Sequence, residues 1–177
     1  MAELPELWIR RERPDDVEAV FAVIEAAFGD RSVAELAVQI RASRGHVPEL
    51  AFVVEEEGEI VGHTMLSYVA VESDERKLLI LTPMSVHPDR QRNGVGGALV
   101  QAALAAADAR NEPLVLVEGI PAYYPRFGFR SATELGLERP DERIVDAAWM
   151  AIPLSAYVPA IKGRVVYPSF FPPPPDA

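Results

Sequence analysis

The stretch MSVHPDRQRNGVGGAL, residues 84–99, decides the fold of this 177-residue chain. It starts in an apolar segment, passes through a polar turn with three glycines, and enters a run with apolar residues at helical spacing. The first N–H groups of a helix have no helical acceptor, and the helix dipole adds positive potential there. Glycines let the backbone approach a bulky ligand, and Arg90 and Arg92 add positive charge. The turn therefore predicts a phosphate-binding site.

The spacing of the glycines narrows the choice of phosphate ligand. The turn contains no Gly-Lys-Ser/Thr, so it is not a P-loop. A dinucleotide-binding G-x-G-x-x-G would need its third glycine at Leu99. The pattern present is Gln91-x-x-Gly94-x-Gly96, placed directly after a strand. A nucleotide-binding α/β domain stays as a weaker alternative, which predicts higher affinity for ATP or NAD than for coenzyme A.

The segments on either side of this turn show two hydrophobic periods. Apolar residues three and four apart predict helices, whereas short apolar or alternating runs bounded by turn residues predict strands. Glu57-Gly58 is a tight-turn signal that joins two strands in an antiparallel hairpin, and residues 73–74 form a second turn. The predicted strands are residues 8–10, 50–55, 59–71, 77–86, 114–117 and 147–154.

Four helices are predicted between these strands. The first ends before Gly29, which suits a left-handed cap, and the second begins with the capping-box pattern of Ser32 and Glu35. The third follows the glycine turn. The first helix is predicted over residues 14–28 and the fourth over residues 121–127. The second has its apolar residues within 33–40 and ends before Gly45, and the third runs from the turn toward Pro113.

This order of elements predicts an α/β fold with a mixed, mostly antiparallel central sheet and helices on both faces. The strand–helix–strand unit around the turn should be right-handed, with its two strands parallel. Pro83 cannot donate a ladder hydrogen bond, so a bulge there should splay its strand from residues 114–117. We expect one domain over residues 1–160 and a C-terminal tail over residues 161–177 that is rich in proline near its end.

Composition excludes several classes of function. A formal net charge of −10 disfavours nucleic-acid binding and favours cations such as protonated amines. The chain has no cysteine, and its three histidines are not spaced as ligand pairs, so no metal site is expected. We see no secretory signal and no run of transmembrane length, so no membrane partner and a cytoplasmic location are expected.

Two motifs together resemble one family. Gln91-x-x-Gly94-x-Gly96 lies between the fourth strand and the third helix, and Tyr124-x-x-x-Gly128-Phe129 follows. In these two motifs the chain is similar to the GNAT superfamily of N-acetyltransferases, and residues 119–129 further resemble its YhbS-like branch. The resemblance covers roughly residues 8–155 and implies the acyl-CoA N-acyltransferase fold.

The resemblance also implies a cosubstrate, acetyl-CoA, and no metal. It places the pyrophosphate on the amides of residues 92–97 and the pantetheine arm along Met84, Ser85 and Val86. The full set of cofactor-binding residues is then Met84, Ser85, Val86, Gln91, Arg92, Asn93, Gly94, Val95, Gly96 and Gly97.

By the same resemblance, Tyr124 protonates the leaving thiolate and the Val86 N–H meets the oxyanion. Ile80 stands where some members have a glutamate base. Glu118 is our candidate base, while Glu72, His87 and a chain of water molecules stay open as alternatives. A core role for Tyr124 and a solvated carboxylate at Glu118 are the competing structural interpretations.

The expected reaction is transfer of the acetyl group onto a primary amine of a small molecule or protein. The alternative is a non-catalytic coenzyme A-binding sensor, which the isoleucine at position 80 favours and Tyr124 disfavours. Residues 157–177 are expected to pack either on their own domain or on a second subunit in a homodimer. His63 is expected to face solvent or a polar pocket, and residues 55–57 to form a hairpin tip.

Overall fold

The computed structural model describes residues 7–72 and 74–174. The chain forms two units. The first contains the described residues up to Leu66 together with Pro83–Ala103, and the second contains Ser67–Thr82 and the described residues from Leu104 onward.

After strand β1, the first unit has two helices whose ends are set by single residues. A short 3-10 helix, Pro14–Asp16, leads into α1, Val17–Phe28. As predicted, α1 ends at Gly29 in the left-handed conformation, with the Gly29 N–H bonded to the Glu25 carbonyl.

Helix α2, Arg31–Arg41, follows, and its predicted start was wrong. Asp30 is the cap, because its carboxylate accepts a hydrogen bond of 2.8 Å from the Ser32 N–H. Ser32 therefore lies inside the helix, and Glu35 contacts Arg31 one turn away instead of closing a capping box.

The strands of the first unit lie in the order β1-β2-β3-β4. β1 and β2 are antiparallel, from Leu7 opposite Glu56 to Arg11 opposite Phe52. Strands β3 and β4 continue into the second unit. The bounds are Leu7–Arg11 for β1, His46–Glu56 for β2, Glu59–Val71 for β3 and Asp74–Val86 for β4.

The turns around β3 show one confirmed prediction and one error. Glu57 and Gly58 have φ values of 51° and 83°, as a two-residue hairpin turn requires, so the predicted turn is confirmed. Asp74 was predicted in a turn but is the first residue of β4, which starts three residues earlier than expected. Residue 73, the other half of that predicted turn, lies outside the described residues.

Within the first unit, consecutive residues of β3 contact helices on opposite faces. A methyl group on Gly62 would lie 2.8 Å from Val95 Cγ1 in α3, Val95–Ala109. The side chain of His63 contacts Glu12, which also binds Arg41 at the end of α2. Because neighbouring strand residues point to opposite faces, helices cover both faces of the sheet here, as predicted.

The second unit continues the sheet in the order β3-β4-β5-β8-β6, with β9 beside β3 and β7 beside β9. β4 and β5 are parallel, with Leu79 opposite Val115 and Ile80 opposite Leu116, which confirms the predicted parallel pair. The β5–β8 and β8–β6 pairs are antiparallel, so the sheet is mixed and mostly antiparallel. The bounds are Leu114–Glu118 for β5, Arg130–Ser131 for β6, Leu137–Glu138 for β7, Trp149–Pro153 for β8 and Gly163–Val166 for β9.

The sequence interpretation missed the three shortest of these strands, β6, β7 and β9. Strands of two to four residues carry too little alternation to be recognised. The predicted helix at residues 121–127 is shorter than expected, a 3-10 helix over Tyr124–Phe127. The predicted strand at residues 147–154 is confirmed as β8.

The segment predicted as a tail contributes to the core of the second unit. β9 pairs antiparallel with β3, with Val165 opposite Val71 and Val166 opposite Ala70. Ile161 and Val165 are buried in the same cluster as Trp149. Residues 175–177, at the end of the predicted proline-rich segment, lie outside the described residues.

None of the helices in the described part of the chain is long and apolar enough to cross a membrane. Across residues 7–72 and 74–174, no three or more His, Asp or Glu side chains are grouped in a way that could hold a metal ion.

Candidate active site

The C-terminal half of β4 leads into the glycine turn. Pro83 and Ser85 are buried, whereas Met84 and Val86 are half-buried, so this part of the strand alternates between two faces. The His87 N–H donates a 2.8 Å hydrogen bond to the Val61 carbonyl of β3. The end of β4, and with it the start of the turn, is therefore fixed to the neighbouring strand.

The turn itself is organised by local hydrogen bonds. A 3-10 helix, Pro88–Arg90, closes with a 2.8 Å bond from the Arg90 N–H to the His87 carbonyl. The Gln91 side-chain amide donates to the Val86 carbonyl at 3.2 Å, so this predicted cofactor residue holds the turn in shape. Arg92 and Gly94 both have positive φ, at 63° and 82°. Left-handed residues within such a turn direct successive amides into one concavity, which suits an anion.

The start of α3 supplies further free amides. A 3.0 Å bond from the Ala98 N–H to the Gly94 carbonyl begins the helical ladder. The amides of Val95, Gly96 and Gly97 precede this bond and have no acceptor within the helix. Residues 91–94 are exposed, and Gly96 and Gly97 are half-buried. The structure therefore brings the predicted residues 91–97 together as a row at a helix N-terminus, in which Val95 is buried and the others are exposed or half-buried.

The two arginines of the turn are not equivalent. The Arg90 guanidinium contacts the buried carboxylate of Glu56, and this hydrogen bond raises the pKa of Arg90. The charge of Arg90 is thus compensated within the protein. Glu56 is the last residue of β2, beside the predicted hairpin turn, and its side chain is buried and contacts Arg90.

Gly62, which the sequence interpretation missed, lets α3 lie close to the sheet. A methyl group there would also lie 3.1 Å from Leu99 Cδ1, besides the contact with Val95 described above. A glycine inside a strand signals a close approach of another element, and Gly62 carried that signal. Gly62 therefore helps to set the position of the first turn of α3.

Glu118 ends β5, opposite Trp149 of β8. Its side chain is exposed, and its Oε2 atom accepts a 2.9 Å hydrogen bond from the Tyr167 hydroxyl. Burial, together with the nearby Glu118 carboxylate, raises the pKa of Tyr167 well above its usual value. Tyr167 therefore stays a neutral donor. No sequence motif pointed to this tyrosine.

Tyr124 is the first residue of the 3-10 helix Tyr124–Phe127 and is 7% exposed. Its ring packs edge-on against Tyr123 and Phe129, with centroids 5.1 and 5.5 Å away. It also lies close to Gly119, because a methyl group there would be 2.3 Å from Tyr124 Cε2. Gly119 follows Glu118, so within the second unit the structure brings both predicted catalytic residues to the end of β5.

Burial raises the pKa of the Tyr124 phenol above its usual value. The phenol is therefore protonated at neutral pH and can donate a proton or a hydrogen bond. The structure also fits the alternative interpretation of Tyr124 as a core residue, since its ring is buried in an aromatic cluster.

The other candidate bases have different surroundings. Ile80 is buried opposite Leu116, so the position of the family's glutamate has no proton chemistry here. His87 uses Nδ1 to accept a 3.3 Å hydrogen bond from the Asp89 N–H, which fits a role in shaping the turn. Glu72 is exposed just after β3, and its N–H bonds to the Arg164 carbonyl.

A buried charged cluster in the first unit contains His63, which lies in β3 and is fully buried. Of its two predicted surroundings, solvent is wrong and a polar pocket is confirmed, because the side chain contacts Glu12. Its Nε2 atom lies 2.7 Å from Glu12 Oε2, without the alignment of a hydrogen bond. Arg41 binds both oxygens of Glu12, at 2.6 and 3.0 Å. Burial alone would raise the pKa of Glu12, but the contacts with His63 and Arg41 outweigh it and lower the pKa to about 2.

Comparisons with known proteins agree with this architecture. The family model of the acetyltransferase (GNAT) domain matches residues 8–132. The uncharacterized N-acetyltransferase YjhQ of Escherichia coli (strain K12) is 29% identical over 157 residues, which cover 85% of this chain and 86% of YjhQ. The uncharacterized N-acetyltransferase YhbS of the same strain is 27% identical over 124 residues, 70% of this chain and 74% of YhbS.

Solved structures match over nearly the whole chain. A GNAT family acetyltransferase from Brucella melitensis, in complex with acetyl-CoA, has a TM-score of 0.77 at 27% identity, covering 96% of this chain and all of that one. Escherichia coli YhbS in complex with CoA has a TM-score of 0.87 at 23% identity, covering 96% and 94% of the two chains, and shows the same fold. The predicted fold class and resemblance are confirmed, and the chain belongs to the GNAT family of acetyltransferases.

Proposed function

We propose that the protein transfers the acetyl group of acetyl-CoA onto a primary amine of a small molecule or a protein. The observation that carries the proposal is the row of main-chain amides from Arg92 to Gly97, which suits a diphosphate. The Brucella melitensis relative, at 27% identity, was solved with acetyl-CoA bound, which supports this choice of anion.

In this proposal the cofactor lies along two consecutive segments of the first unit. The amides of residues 92–97 bind the diphosphate, and Gln91 keeps the turn in the shape that presents them. The main chain of Met84, Ser85 and Val86 pairs with the pantetheine arm. A main-chain site tolerates the acidic composition of the protein, because its positive potential comes from backbone dipoles.

The reaction proceeds through a tetrahedral intermediate. The amine nitrogen attacks the thioester carbonyl carbon, and the carbonyl oxygen becomes an oxyanion that accepts a hydrogen bond from the Val86 N–H. The carbon–sulfur bond then breaks, and the thiolate of coenzyme A takes a proton from Tyr124. A phenol whose pKa is raised by burial is protonated before the reaction, as this step requires.

The attacking amine must first lose a proton, because an alkylammonium has a pKa of about 10. Glu118 accepts this proton, directly or through a water molecule. Among the candidate bases it is the one at the end of β5, beside the glycine against which Tyr124 packs. The net charge of −10 favours a cationic acceptor of this kind.

A coenzyme A-binding sensor is the second candidate function, and Ile80 in place of a glutamate favours it. Thiol release from acetyl-CoA, measured with and without a panel of primary amines, separates the two. The proposed function predicts thiol release that depends on an amine and is matched by N-acetylated product. Tight binding of acetyl-CoA without thiol release for any amine would contradict it.

A homodimer also stays a prediction.

A further inference from the structure

A contact between the C-terminal segment and β5 has no role in the chemistry described so far. The Tyr167 hydroxyl donates to Glu118 Oε2 at 2.9 Å, across 49 positions of the sequence. We propose that Tyr167 is a positioning residue for the Glu118 carboxylate, so that the segment after β9 completes the catalytic group. This inference rests on the proposed function, in which Glu118 deprotonates the amine.

The Tyr167 ring is held by its neighbours before it reaches Glu118. Its edge faces Trp149, with ring centroids 6.3 Å apart, and it packs against Phe171 at 4.8 Å. Trp149 lies directly opposite Glu118 in the β5–β8 ladder. Trp149, the strand partner of Glu118, therefore also packs against Tyr167, whose hydroxyl binds Glu118.

The strand that precedes Tyr167 and the indole that packs against its ring are also fixed. Tyr167 follows β9, whose last two residues, Val165 and Val166, pair with β3. The Trp149 indole is fully buried and donates to the Leu137 carbonyl at 2.9 Å. A hydroxyl carried by such rigid elements loses little entropy when it holds a carboxylate in one orientation.

The contact has a consequence for the two oxygens of Glu118. An ionised carboxylate has two oxygens that accept hydrogen bonds, and Tyr167 binds Oε2. In this proposal Oε1 is left to accept the proton from the amine or an intervening water molecule. Because burial keeps Tyr167 protonated, the hydroxyl serves only as a donor and does not compete for the proton of the amine.

The test uses Tyr167→Phe, Glu118→Gln and the double variant, with the amine of the panel that gives the fastest thiol release. Tyr167→Phe keeps the ring that packs on Trp149 and removes only the hydroxyl. We expect kcat to fall by about tenfold, the value typical of a lost hydrogen bond to a charged group, with the KM for acetyl-CoA unchanged. Glu118→Gln should lower kcat by about 100-fold.

The double variant decides whether the tyrosine acts through the glutamate. If it does, adding Tyr167→Phe to Glu118→Gln lowers kcat no further, because the hydroxyl no longer has a catalytic carboxylate to position. Tyr157→Phe is the matched control, since Tyr157 is also half-buried against the same core. It should leave kcat unchanged, and circular dichroism should show the same melting temperature for Tyr157→Phe and Tyr167→Phe.

The outcomes separate this inference from the proposed function. A Tyr167→Phe enzyme with wild-type kcat, beside a slow Glu118→Gln enzyme, overturns the positioning role alone. An additive loss in the double variant overturns it as well. A Glu118→Gln enzyme with wild-type kcat overturns the role of Glu118 and of Tyr167 while acetyl transfer stands. If no amine releases thiol, both proposals fail together.

Discussion

In the proposed function, the glycine turn and the group at the end of β5 build their chemistry in opposite ways. The turn uses main-chain amides, whose direction follows from the left-handed conformation of Arg92 and Gly94 and from the start of α3. The group proposed at the end of β5 uses the side chains of Glu118, Tyr124 and Tyr167, which come from three separate segments of the chain. A main-chain site is therefore encoded locally, whereas the side-chain group depends on how distant segments fold together.

The largest expected effect is on the main-chain site, from Gly94→Glu. A carboxylate there would meet the diphosphate, and like charges in contact cost several kcal/mol, so we expect acetyl-CoA affinity to fall by about 1000-fold. Gly29→Glu is the matched control, because Gly29 is also left-handed and a methyl group would meet nothing within 4 Å at either glycine. Calorimetry should show wild-type affinity for Gly29→Glu. Unchanged affinity in Gly94→Glu would show that the diphosphate binds elsewhere.

The next largest effect concerns stability and comes from Glu12→Gln. Removing one partner of a buried ion pair leaves the charge of Arg41 uncompensated, which should cost about 3 kcal/mol of the free energy of unfolding at pH 7. Denaturant unfolding measures this loss. Slower acetyl transfer in a variant of wild-type stability would instead give the Glu12 cluster a catalytic role and weaken the contrast between the two regions.

The ionisation of Glu12 should make the free energy of unfolding depend on pH in one direction. The pKa of Glu12 is about 2 in the folded protein and 4.5 as a reference, so its ionised form favours folding. This contribution is complete above pH 4.5 and is lost as the pH falls toward 2. Wild-type protein should therefore lose stability more steeply across this window than Glu12→Gln does.

A smaller effect is expected at the side-chain group, from Tyr124→Phe. Loss of the general acid should lower kcat by about 100-fold, while the affinity for acetyl-CoA stays the same because the main-chain site is intact. The ring remains to pack against Phe129 and Gly119. Steady-state kinetics together with calorimetry test this separation. Wild-type kcat would mean that the thiolate takes its proton from another group.

The smallest expected effect is on acetyl-CoA affinity, when either Arg92 or Arg90 of the turn is replaced. Arg92→Gln should weaken acetyl-CoA binding by about threefold at low salt, as loss of an exposed charge near a phosphate does. Arg90→Gln should change the affinity less, because Glu56 already compensates Arg90. Calorimetry at two salt concentrations measures both. A larger loss for Arg90→Gln would mean that this arginine leaves Glu56 to bind the cofactor.

These two regions also differ in how far the sequence predicts them. The turn, the start of α3 and the Glu57-Gly58 hairpin follow from local patterns, and the structure has all three. Their determinants are residues within a few positions of each other, where backbone preferences decide the conformation. Whether the predicted residues of the turn bind the cofactor stays a prediction.

The rest of the candidate site was not predictable from local patterns. The Tyr167–Glu118 contact depends on β9, a strand of four residues with too little alternation to recognise. The burial of His63 depends on Glu12 and Arg41, which come from other parts of the chain. The predicted opening of the sheet at Pro83 stays a prediction. The paired residues Leu79 and Ile80 precede Pro83 in β4.

The most direct test of the main-chain site is a crystal structure of the protein with acetyl-CoA. The proposed function predicts that diphosphate oxygens lie within hydrogen-bond distance of amide nitrogens between Arg92 and Gly97. A bound cofactor whose diphosphate contacts other residues and leaves these amides empty would contradict it.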